Sequence, residues 1–175
     1  VEITVKQPNI EVPRENLSLE VEITEVGPTS ITFNVEASHP DMTWIPMVTY
    51  KEYWDQKLSD EEVYISDLAY FEYLADNAGI TREEFLADML GMGSQEGIVI
   101  ENLTPNTEFV IYIYGLTVDG ERTTDIVARE ATTEKPYEGD ITFTFDIKEE
   151  DYIMEFVVTP SHKGVNYYHG VATEA

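Results

Sequence analysis

The chain is expected to be mostly β: a sandwich of two antiparallel sheets that carries a pair of helices and then begins a second, incomplete copy of itself. Three observations predict this. Apolar and polar residues alternate through most of the sequence, two helix-capping signatures open the stretch where that period changes, and a strand-and-loop pattern recurs 123 positions downstream. With 175 residues, 42% of them hydrophobic, the chain can bury one or two cores. Its 11 Tyr, 7 Phe and 2 Trp do not suit a disordered segment.

Leu19, Val21 and Ile23 alternate with Glu20, Glu22 and Thr24, as in a strand with one buried face. Gly27-Pro28 supplies a turn, and Ile31, Phe33 and Val35 resume the alternation. After a break at residues 38–41 a third strand runs over about 44–50; Pro46 has no N–H to give, so an edge or a bulge is expected there. Ser59-Asp60-Glu61-Glu62 and Thr81-Arg82-Glu83-Glu84 both have the form of a capping box. Behind the first, Tyr64, Leu68, Phe71, Ala75 and Ala78 recur at helical spacing, with Gly79 as the stop. Behind the second come Phe85, Leu86, Met89 and Leu90, closed by Gly91. Residues 59–91 should therefore form a helical hairpin. Strands return at 98–100 and 109–114, Asp119-Gly120 is a turn signal, and residues 123–133 form the returning partner. Residues 134–139 look like a linker.

Beyond the linker, Ile141, Phe143 and Phe145 echo Leu19, Val21 and Ile23, while Met154, Phe156 and Val158 echo Ile31, Phe33 and Val35. The second of these echoes has an offset of 123, and at that offset Ser161-His162 falls on Ser38-His39 and Tyr167 on Trp44. The division expected is a segment 1–16, a first domain 17–135 with a helical insertion at about 57–95, and the start of a second repeat at 136–175. Three strands cannot close a second sandwich. Either the natural protein continues, or a strand at residues 1–5 and a partner chain cover the bare edges; truncation is the simpler account.

Thirty-five acids against 10 basic residues give a net charge of −25, which repels phosphate backbones and anionic lipid heads. Nucleic acid and peripheral membrane binding are not expected. The absence of cysteine excludes disulfides, thiolate metal sites and Cys nucleophiles in this segment. No apolar run spans a bilayer, and the chain opens on Val1 without a leader pattern, as a mature form would.

Leu103-Thr-Pro105-Asn-Thr107-Glu-Phe109-Val-Ile111-Tyr-Ile113 resembles the corner before the sixth strand of fibronectin type III domains, L-x-P-x-T-x-Y-x-V-x-V. The resemblance covers about residues 17–133 and implies a fibronectin type III/immunoglobulin-like β-sandwich with an inserted α-helical hairpin, plus an incomplete second sandwich repeat. Phe109 stands where the family usually has a tyrosine, so the hydroxyl that ties that corner is missing and another group must replace it. The combination looks like the repeated domains of gut-bacterial surface lipoproteins. That likeness implies an exported, non-enzymatic module at the cell surface or in the periplasm, lipid-anchored through a region outside this segment.

Ser38-His39 and Ser161-His162 invite a hydrolase reading. Neighbours on an extended chain point to opposite sides, so the His cannot readily serve the adjacent Ser, and a shared loop conformation is the simpler account. The carboxylate pairs read as first-turn helix acids or solvated turns. His39, His162 and His169 lack metal-site spacing. Gly91-Met92-Gly93 reads as a helix stop rather than a dinucleotide loop. No catalytic residue, metal or cofactor is therefore expected.

Tyr70 and Tyr73 fall off the apolar face of the first helix, and Trp54 and Tyr53 lie where the third strand meets the insert. These aromatics suit a glycan platform, while the alternative is packing, with Tyr112 and Tyr114 buried beneath Tyr64 or Phe71. Loops 38–43 and 118–124 would share one end of the sandwich. The function expected is a non-catalytic interaction or spacer module for an unknown protein or glycan. The alternative is a carbohydrate-binding accessory domain of a glycan-uptake system using Tyr70, Tyr73 or Trp54; an enzyme fragment ranks last. The helices are expected to ornament the sandwich and to be removable from it.

Overall fold

Alternation along the chain becomes two facing sheets in the computed structural model, which describes residues 16–57, 59–150, 153–162, 167 and 170. One sheet has the order β1-β2-β5, from β1 (Leu19–Val26), β2 (Ile31–Ala37) and β5 (Gln95–Ile100). The other has the order β4-β3-β6-β7, from β3 (Thr43–Tyr50), β4 (Gly91–Met92), β6 (Glu108–Gly115) and β7 (Val127–Thr132). All pairings are antiparallel. Leu19, Val21, Ile31, Phe33 and Val35 from the first sheet meet Trp44, Phe109, Ile111 and Ile113 from the second, closing one apolar core between the layers. The chain is thus mostly β, with a sandwich body.

Pro46 lies beyond the two residues of β3 that β4 covers, so the proline sits on an open edge, without a bulge. A bulge does occur opposite β5, where the register shifts between Phe33 and Val35; Gly97 adopts φ 68° and its N–H donates to Asn34 Oδ1 at 2.9 Å.

Between β3 and β4 run three helices, α1 (Lys51–Trp54), α2 (Asp60–Ala78) and α3 (Arg82–Met89). Both expected N-caps are present. Ser59 Oγ accepts from the Glu62 N–H, and Thr81 closes a reciprocal box with Glu84, whose carboxyl is held below its usual range by these bonds to Thr81. Gly79 ends α2 in the left-handed region, as expected.

Two expectations for this region need correction. Gly91 is not a left-handed stop: α3 ends on Leu90 in an extended conformation, and Gly91 begins β4 against the Trp44 ring. A Cβ at Gly91 would lie 2.5 Å from that ring, so the glycine is required for close approach. Nor are the helices an ornament. Phe71 and Leu86 bury a second core with Ile45, Tyr112, Tyr114 and Leu116 on the outer face of the β3/β6 sheet. The periodicity placed the helices but said nothing of how much of the sheet they cover.

The corner at residues 103–109 has its tie. Thr133 Oγ1 accepts the Thr107 N–H at 3.0 Å and donates to the Thr104 carbonyl at 2.7 Å, while Phe109 packs on Tyr50 at 5.0 Å. A threonine just after β7 thus holds the bend that Phe109 cannot.

β8 (Phe143–Glu150) and β9 (Ile153–Pro160) pair only with each other among the described residues. Their hairpin is closed by the same device as the first one. Ser38 donates its N–H to the Ser18 carbonyl and accepts the Ser18 N–H on Oγ; Ser161 does both to Thr142. This clasp matches Ser18 to Thr142, and therefore Leu19 to Phe143 and Ile23 to Ile147, two residues along from the expected echo of Ile141. A two-residue slip keeps every side chain on its own face, so alternation alone does not reveal it. The apolar row Phe143, Phe145 and Ile147 is exposed. The expected strand at residues 1–5 and His169 lie outside the described residues, as does most of the third strand expected in the second copy.

Candidate functional site

The outer face of β6 presents Tyr112 and Tyr114, which alternate with the inward-facing Ile111 and Ile113. Across from them α2 lays down Val63, Tyr64, Asp67, Leu68 and Phe71, spaced three and four residues apart on one helical face. Asp67 therefore enters an apolar interface, where it is 6% exposed. Its two oxygens are shared between two phenols: Tyr112 donates to Oδ1 at 2.9 Å and Tyr114 to Oδ2 at 3.1 Å. Burial pushes the carboxyl up to about 6, although the two hydrogen bonds pull it down. Both tyrosine hydroxyls are pushed well above their usual range, first by burial and then by the Asp67 charge.

A cavity of about 260 Å³ opens beside this cluster, between α1, the start of α2 and the β3/β6 sheet. Tyr53, Trp54, Lys57, Glu62, Asp67 and Tyr112 are among its lining. The Trp54 ring lies 4.8 Å from that of Tyr112, and the Lys57 ammonium stands 4.0 Å from the Trp54 centroid while pairing with Asp60 at 2.7 Å.

Of the three candidate aromatics, Tyr70, Tyr73 and Trp54, Trp54 alone lines this cavity. Trp54 is half-buried in the cavity wall, whereas Tyr70 and Tyr73, 50% and 62% exposed, lie further along α2 and do not line it. For Tyr112 and Tyr114 the packing alternative holds. Tyr64 meets Tyr114 edge-on at 6.2 Å, and Phe71 belongs to the same core.

The helices also grip the β6–β7 loop. The Tyr64 hydroxyl donates to the Gly120 carbonyl at 2.6 Å, and Arg82 reaches the Asp119 carbonyl at 3.4 Å. Arg122 spans back to the Asp60 carbonyl at 3.4 Å and to Glu61 at 3.5 Å. Loop 118–124 is therefore tied to α2 and α3 by side-chain contacts. The Ser38 hydroxyl is engaged in the strand clasp, and His39 Nδ1 accepts the Asp41 N–H at 3.2 Å, so each half of that pair serves its own turn.

Asp67 was not singled out from the sequence. The signal was available, since residue 67 stands four after Val63 and four before Phe71, an acid in the middle of an apolar stripe. Such an acid needs partners when it is buried, and the outward tyrosines of β6 supply them. No protein-family model matches the chain, and neither does any curated protein.

Proposed function

We propose that the chain is a non-catalytic, extracytoplasmic interaction or spacer module of a bacterial surface protein, built from tandem fibronectin type III-like units, the first bearing a helical insertion. The observation that carries this reading is the strand path. β1-β2-β5 in one layer and β3-β6-β7 in the other follow the A-B-E and C-F-G layers of immunoglobulin-like sandwiches, with β4 beside β3. The clasp repeated at Ser38 and Ser161 supports a second unit of the same kind. The location, and a lipid anchor outside this segment, rest on the likeness of the tandem, helix-bearing units to the repeated domains of gut-bacterial surface lipoproteins. A glycan array and pull-downs with extracellular matrix proteins test the proposal. Specific retention of one partner without turnover is expected; turnover of a substrate by the purified chain would count decisively against it.

A second reading, a carbohydrate-binding accessory domain of a glycan-uptake system, is favoured by Tyr70 and Tyr73, both exposed and one helical turn apart. Affinity electrophoresis against a polysaccharide panel should then show retardation that Tyr70→Ala and Tyr73→Ala abolish. Unchanged mobility on every polysaccharide removes this reading.

A further inference from the structure

The Asp67 carboxylate is buried, yet among the described residues no lysine or arginine pairs with it. Its two hydrogen bonds come from neutral hydroxyls and occupy one acceptor direction on each oxygen; a carboxylate offers about four. A buried charge without a counter-charge is unfavourable, and a cation that reaches it recovers much of that loss. The adjoining cavity gives access, because Asp67 is part of its wall.

The rest of the lining selects the sign and shape of what enters. Lys57 is balanced by Asp60, which leaves the buried Asp67 as the negative charge in the cavity wall that no lysine or arginine meets among the described residues. Tyr53, Trp54 and Tyr112 contribute aromatic faces, whose electron-rich surface attracts ammonium groups and packs against methylenes. Trp54 already holds one ammonium, that of Lys57, at 4.0 Å. We propose that this cavity binds an alkylammonium group, with its charge against the Asp67 carboxylate and its methylene stem against the rings of Trp54 and Tyr112. The ligand is a free diamine or the lysine side chain of a partner protein; both offer the same chemistry. The proposal stands on the cavity and is independent of the fold's family.

Binding should be linked to protons. The groups that face Asp67 or share its cavity are Tyr112 and Tyr114 from β6, Tyr53 from α1, Lys57 from the following turn and Glu62 from α2. Burial pushes Asp67 to about 6, and an ammonium ligand requires the ionised form. Affinity should therefore be steady above that pH and fall up to tenfold per unit below it.

The test is an NMR titration of the whole chain, following the Trp54 indole N–H at pH 7.5, 6 and 5. The probes are cadaverine, Nα-acetyl-lysine methylamide, pentane-1,5-diol and glucose. Saturable shifts with either amine, weakening toward pH 5 and absent with the diol and glucose, are expected. Saturation by cadaverine alone assigns a free diamine, and saturation by the lysine derivative assigns a partner's side chain. Asp67→Asn should abolish the response, while Tyr53→Phe, which keeps both the ring and the Trp54 reporter, should retain it. Equal binding of diol and diamine, the same affinity at every pH, or no saturable shift with the amines would overturn the proposal. These comparisons use the unmodified chain, so they hold even if Asp67→Asn fails to fold.

Discussion

Thr133 is 2% exposed, and its single hydroxyl serves two backbone groups of the corner at once. Thr133→Val keeps the shape but leaves the Thr107 N–H and the Thr104 carbonyl without that partner. Such a loss costs about 1–3 kcal/mol. The urea midpoint should fall accordingly with an unchanged slope. Asp67 makes the opposite kind of demand. Folding raises its carboxyl from 3.8 to about 6, so between those values the folded chain holds a proton that the unfolded chain releases. The stability this contributes is fully present below pH 3.8 and is lost as pH rises through 6, an amount of about 3 kcal/mol. Urea unfolding at pH 4 and pH 7 should show wild type losing about that much more stability than Asp67→Asn across the interval. The sequence shows plainly that the Phe109 corner lacks its hydroxyl. It does not show the replacement, because Thr133 meets the corner only through the β6–β7 pairing.

The helices were legible where local chemistry decides them and illegible where packing does. The caps at Ser59 and Thr81 and the stop at Gly79 are short-range patterns, and all three stand where they were expected. α1 is four residues long and β4 only two, too short for any period to register. Gly91 was misread because a glycine after a helix suggests a stop, whereas here the Trp44 ring dictates it. The consequence concerns the whole α1–β4 segment. Replacing residues 57–95 by a short Gly/Ser link would uncover Ile45, Tyr112, Tyr114 and Leu116, and would remove the Gly93 carbonyl that accepts from Trp44 Nε1 at 2.8 Å. Each large apolar side chain returned to water costs about 1.5–3 kcal/mol. The shortened chain should therefore bind a hydrophobic dye and lose its near-UV circular dichroism; a cooperative unfolding transition with native-like spectra would show that the sandwich stands without its helices.

At the scale of the molecule, charge and repetition dominate. A net charge of −25 opposes compaction, and ion pairs such as Lys51 with Asp55 and Glu130 offset it only locally, since 10 basic residues face 35 acids. Glu20, Glu22, Glu36 and Glu96 crowd one hollow on the β1-β2-β5 sheet. Salt shortens the reach of such repulsion from about 10 Å at 0.1 M to about 3 Å at 1 M. The thermal midpoint should therefore rise with sodium chloride over that range, as differential scanning calorimetry would show. The layered architecture was readable from alternation and turn residues, since both are local. The alignment of the second hairpin was not, because a slip of two is invisible to a period of two. The serine clasp resolves it, and it bears on how the chain folds. A hairpin buttoned at its open end keeps its register before any facing layer exists. The pairing of β1 with β2 is thus specified within residues 18–38 themselves, without reference to the strands that cover them.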